Sequence, residues 1–74
     1  AKVMQLQEQL NAIADVYTAI PNIIVDGIYG NNTREAVKEF QSIFGLPVTG
    51  VVDFRTWYKI SNIYLGITRI GELN

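Results

Sequence analysis

A chain of 74 residues is one small domain, and with 49% apolar residues it can build a core rather than stay disordered. It has no cysteine and no histidine, which excludes disulfides, thiolate or histidine metal sites, and Ser-His-Asp or Cys-His catalysis. The net charge of −1 arises from six basic and seven acidic residues interleaved along the chain, which argues against a nucleic-acid footprint, and no apolar run approaches the roughly 18 residues of a membrane span.

Val3, Leu6, Leu10, Ile13, Tyr17 and Ile20 recur at spacings of three and four, the stripe of an amphipathic helix. Gln5, Gln7, Glu8, Gln9, Asn11 and Asp15 fill the opposite face, and Pro21 places the helix end near Thr18. The stripe reads as core; association of two copies through it is the other use such a stripe has. Residues 21–30 read as a loop, with β-branched Ile23-Ile24-Val25 extended and Asp26-Gly27 marking a turn. A second helix is predicted from Asn31 to Phe44, with Val37, Phe40 and Phe44 as its stripe and Thr33, Ala36 and Gln41 beside it. Gly45 and Pro47 supply the stop. A second turn at Thr49-Gly50 leads to Asp53, a good N-cap for a third helix with Trp57, Ile60 and Tyr64 on one face. Gly66 and Gly71 are expected to loosen the chain, although Ile67, Ile70 and Leu73 have the chemistry to dock.

The pattern Val-x-Gly-(Ile/Val)-x4-Thr-x3-(Val/Ile) occurs twice, at Val25, Gly27, Ile28, Thr33, Val37 and at Val48, Gly50, Val51, Thr56, Ile60, an offset of 23. Each copy is expected to pack Val25 and Ile28, or Val48 and Val51, beside a sharp turn and to cap the next helix with its threonine hydroxyl. The predicted fold is therefore all-α, a compact three-helix bundle with two glycine turns leading into helices of similar geometry. Residues 1–65 form the domain and 66–74 a C-terminal tail or linker. The chain begins Ala-Lys-Val without an initiator Met and shows no signal peptide, so it reads as a segment of a larger protein. Catalysis by this segment is not expected. The remaining candidates are carboxylates: Asp26 and Asp53 at turn and cap positions, and Glu35 and Glu39 spaced i, i+4 on the second helix. A chain this short is not expected to build the cleft that a carboxylate pair needs.

Leu6-Gln-x2-Leu10, then Val25-Asp-Gly-Ile-Tyr-Gly-x2-Thr33-x2-Ala36-Val37-x2-Phe40-Gln41, then Gly45-Leu-Pro-Val-x-Gly50-Val-Val-Asp53-x2-Thr56-Trp57 follow one another over residues 3–60. In that order they resemble the small three-helix peptidoglycan-binding domain that bacteria append to cell-wall amidases, peptidases, muramidases and spore-cortex lytic enzymes. Three features depart from the family's pattern: a longer first helix and Pro-containing loop across Ala12–Asn22, Asp53 where a glycine is frequent, and an apolar tail after Tyr64. The resemblance implies non-catalytic attachment to the glycan or stem peptide of the wall, without cofactor or metal, carrying a covalently attached catalytic domain. It implies an extracellular, wall-associated or spore-associated location. The same module occurs in propeptides of secreted metalloproteases, which supplies the alternative of an interaction module packed against a neighbouring catalytic domain.

Positions shared by both copies, Gly27/Gly50 and Thr33/Thr56, read as fold. Those that the first copy has alone read as the ligand site: Asp26, Tyr29, Asn31, Asn32 and Arg34. Tyr29 offers a ring face and a hydroxyl, Asn31 and Asn32 offer amides suited to sugar hydroxyls or peptide carbonyls, and Arg34 offers a partner for a peptide carboxylate. Asp26 is first a turn residue, with a secondary contact to ligand amides. Trp57 lies on the core face of the third helix and Tyr58 off it.

Overall fold

A computed structural model of the chain describes residues 2–70, Ile70 by its backbone alone. These residues form three helices and no strand: α1 (Lys2–Val16), α2 (Asn31–Ile43) and α3 (Phe54–Ile70). The all-α, three-helix architecture expected from the periodicity is the one observed. α1 lies against both other helices, more broadly against α3. Leu10 and Ile13 from α1, Ala36, Val37 and Phe40 from α2, and Ile60 from α3 are all 0% exposed, so the three stripes meet in one core.

α1 stops at Val16, and the chain then turns: the Tyr17 amide still donates to Ile13 (2.8 Å) and the Ile20 amide donates to Tyr17 (3.0 Å). That turn carries Ile20 into the core just before Pro21, which disfavours helical geometry at the residue preceding it. Tyr17, exposed on one side, meets Phe44 edge-on at 5.0 Å, and Phe44 also packs on Phe40 at 4.5 Å. The loop after Pro21 is held by Asn11. Its Nδ2 donates to the Ile23 carbonyl (2.7 Å) and its Oδ1 accepts the Ile23 amide (2.8 Å), so one side chain pairs an extended residue as a strand neighbour would.

α2 ends in a Schellman motif. The Leu46 amide donates to the Gln41 carbonyl (2.8 Å) and the Gly45 amide to Ser42 (3.4 Å), with Gly45 at φ +71° as the stop signal predicts. α3 begins as expected, with Asp53 Oδ1 accepting the Thr56 amide at 2.9 Å. It then runs 17 residues, carrying on through Gly66 where a loosening was expected. A mid-helix glycine costs about 1 kcal/mol relative to alanine, and the packing of Ile63 and Tyr64 before it and Ile67 after it on the core outweighs that. Gly71 and Leu73 lie outside the described residues.

Three further expectations are corrected. The face of α1 opposite the stripe is not uniformly solvated: Gln7 is 0% exposed and Gln9 8%. Three of the four apolar residues expected beside the turns do not pack there: Ile28, Val48 and Val51 are all more than half exposed, and only Val25 is half-buried. The threonines do not cap: the Thr33 and Thr56 hydroxyls are buried and accept from glutamines of the preceding helix instead.

Gly45 and Gly50 share a left-handed backbone but not their surroundings. A Cβ at Gly45 meets nothing within 4 Å, whereas one at Gly50 falls 2.8 Å from Arg34 Cγ and 3.1 Å from Lys38 Cε. Gly45→Ala should therefore cost only the left-handed penalty of about 1–2 kcal/mol, while Gly50→Ala must also displace the arginine stem. Urea midpoints are expected to fall further for Gly50→Ala; equal midpoints would show that the Arg34 stem moves freely.

Candidate functional site

Each turn that leads into a helix is held by one buried glutamine. Gln7 Oε1 accepts the amides of Asp26 (3.0 Å) and Gly27 (2.9 Å), while its Nε2 reaches Asp26 Oδ1 (3.0 Å), the Ile28 carbonyl (3.0 Å) and Thr33 Oγ1 (3.1 Å). Gln41 repeats the arrangement one unit later. Its Oε1 accepts Thr49 and Gly50 (both 2.9 Å), and its Nε2 reaches Thr49 Oγ1 (3.3 Å), the Val51 carbonyl (3.1 Å) and Thr56 Oγ1 (3.1 Å). The duplicated unit is thus helix, turn, helix, with α2 shared: it receives the first turn through Thr33 and clamps the second through Gln41. Within each turn the leading side chain also accepts the amide two residues on, Asp26 from Ile28 (2.9 Å) and Thr49 from Val51 (3.0 Å).

The electrostatics follow from these bonds. The Asp26 carboxyl is held below its ordinary range, first by the Ile28 amide and then by Gln7. Asp53 is likewise lowered, by the Thr56 amide and then its hydroxyl. Burial raises the Tyr29 phenol, against the lowering influence of Arg34, so it stays a neutral donor. It donates to the Gly50 carbonyl and so ties the first turn to the second.

The residues proposed as a single site separate onto different surfaces. Asp26, Asn31 and Asn32 share a hollow of about 160 Å³ with Ile24, Ile28 and Gly30. Asn31 and Asn32 are exposed, and the N-cap of α2, Gly30, has no side chain to bond the first-turn amides. Tyr29, between Ile28 and Gly30, turns the other way, as alternation along an extended stretch requires. It lines a cleft of about 360 Å³ with Lys2, Val52, Asp53, Phe54 and Trp57. Arg34 lines neither; its aliphatic stem lies over Gly50.

Sequence reasoning missed that cleft. The available signal was Phe54 and Tyr58 at i, i+4, which stack at 5.9 Å with planes 23° apart. Phe54 is 80% exposed and Tyr58 59%, while Trp57 packs against the core as expected. On α2, Glu35 and Glu39 are exposed, and Glu35 lies 3.5 Å from Lys38. No helix among the described residues is long and apolar enough to cross a membrane.

A Bacillus subtilis (strain 168) protein described as "Uncharacterized protein FadG" is 41% identical over 39 residues, covering 53% of this chain and 7% of the relative, so the chain corresponds to a small fraction of that protein's length. No solved structure matches the chain. Residues 1–60 match the family described as "Putative peptidoglycan binding domain", a stretch that spans both glutamine-clamped turns and most of the core. The chain belongs to this peptidoglycan-binding domain family, whose members bind without catalysis.

Proposed function

We propose that this domain binds bacterial peptidoglycan and holds an attached cell-wall hydrolase, an amidase, peptidase or lytic enzyme, against its polymer outside the cell. The observation that carries the reading is the family match across residues 1–60. The contact surface is the hollow beside the first turn. Asn31 and Asn32 present amides to polar groups of the polymer, and Asp26 shapes the floor while its turn stays clamped. Tethering raises the effective concentration of the attached domain at the wall to about the millimolar range for a short flexible linker, so modest affinity per module is enough.

The test is sedimentation with purified sacculi. The wild-type domain is expected in the pellet, and Asn31→Ala/Asn32→Ala, which changes exposed residues only, should bind about tenfold more weakly, as loss of two hydrogen bonds predicts. A variant that pellets like wild type moves the contact away from this hollow. A wild-type domain that stays in solution but captures its neighbouring catalytic domain replaces wall binding with the interaction-module role.

A further inference from the structure

The cleft between the start of α1 and the start of α3 is not used by the hollow described above, and its chemistry is different. Trp57 and Tyr29 form half-buried aromatic walls over Val3, Leu6 and Val52. Phe54, 80% exposed, also lines it and stacks on Tyr58, itself 59% exposed, so two solvent-facing rings stand beside the cleft. Two charges of opposite sign, Lys2 and Asp53, line the same space. Asp53 Oδ1 is engaged by the Thr56 amide, which fixes the carboxylate while its second oxygen makes no hydrogen bond within the described residues.

We propose that this cleft binds a pyranose ring of the wall glycan, in particular an amino-sugar residue carrying an acidic substituent. The inference rests on the peptidoglycan reading and adds the polymer component and the place. A pyranose has an apolar C–H face and a rim of hydroxyls, which matches an aromatic floor with polar groups at its edge. The Phe54–Tyr58 stack carries the ring of one sugar, and the cleft over Trp57 takes its neighbour. The Asp53 carboxylate accepts from sugar hydroxyls, and the Lys2 ammonium pairs with the carboxylate of a lactyl ether, free once the peptide stem is removed. This charge match favours glycan strands without stem peptides over isolated stem peptides, which lack the ring.

The domain holds a single tryptophan, Trp57, and it lines this cleft, so the protein carries its own reporter. Titration with soluble, peptide-free glycan strands is expected to change Trp57 fluorescence saturably, and raised salt should weaken the binding. Phe54→Ala/Tyr58→Ala removes two exposed rings, leaves the helices intact by circular dichroism, and should weaken glycan binding about tenfold. Lys2→Gln should remove most of the salt dependence. If the wild-type domain sediments with sacculi but glycan strands leave Trp57 unmoved, or the aromatic double variant titrates like wild type, the cleft assignment is overturned and wall binding stands. If the wild-type domain binds neither sacculi nor strands, the peptidoglycan reading falls and this inference with it.

Discussion

Gln41→Leu is expected to lower the thermal midpoint by at least about 10 °C, the larger effect of the two clamping glutamines when each is replaced by an apolar residue. Leucine fills similar space but answers none of the polar groups around it. The Thr49 and Gly50 amides lose their acceptor, and the bond to Gly50 is buried where water does not replace it. The Val51 carbonyl and Thr56 hydroxyl lose their donor as well. An unsatisfied buried group costs about 1–3 kcal/mol, and the buried Gly50 amide and Thr56 hydroxyl together are a large share of the roughly 4–11 kcal/mol expected for a domain of this size. Each kcal/mol shifts the midpoint of a small domain by about 4–8 °C. Gln7→Leu should cost less, because Asp26 is exposed and Gly27 half-buried, so solvent reaches the amides that Gln7 leaves. Melting curves by circular dichroism order the variants. A Gln41→Leu domain that melts like wild type would mean that the second turn is held by its glycine geometry alone.

The same glutamines mark what was legible in the sequence. Helix existence was readable because the stripes of α1 and α2 have the right period, and Gly45 and Asp53 carry local stop and start chemistry that needs no partner elsewhere. The role of Thr33 was not readable. A threonine in a first helical turn looks like a cap, and the group that claims its hydroxyl lies 26 residues back, on a face whose neighbours Gln5 and Glu8 are solvated. The duplication in the turns shows at an offset of 23, but the clamps repeat at 34, Leu6-Gln7-x2-Leu10 against Phe40-Gln41-x2-Phe44, mainly because α1 runs on to Val16 past its clamp whereas α2 ends at Ile43, and partly because the α1-to-α2 loop is longer. Two offsets in one repeat hide it from a search at a fixed period. The candidate site was legible only as residue types. Asp26, Asn31 and Asn32 share a surface, but the main chain between Ile28 and Gly30 turns Tyr29 to the opposite side, and only the third dimension shows that Phe54 and Lys2 meet it there.

Asp26 and Thr49 occupy equivalent places in the two units, and that one difference predicts opposite tolerance for a second substitution. Gln7→Glu keeps the oxygen that accepts the Asp26 and Gly27 amides but replaces the donor nitrogen with an oxygen facing the Asp26 carboxylate and the Ile28 carbonyl. At pH 7 the new carboxylate is buried with another carboxylate beside it, and a loss of at least about 3 kcal/mol is expected. Burial and Asp26 both favour its neutral form, so its pKa in the folded state lies above the ordinary glutamate value of about 4.3. The sign is then fixed: the penalty is fully present above the raised pKa and fades as pH falls toward the unfolded-state value. Asp26, with its pKa lowered, remains ionised across that window and accepts the new O–H where it formerly accepted Nε2–H. Gln7→Glu should therefore regain stability relative to wild type between pH 7 and about pH 5. Gln41→Glu faces Thr49 and Thr56, whose hydroxyls rotate to donate, and only the Val51 carbonyl opposes it. It should lose less at pH 7 and recover less on acidification. Chemical denaturation of both variants across this pH range decides the matter: parallel profiles would show that the Asp26 carboxylate exerts no influence on the first clamp.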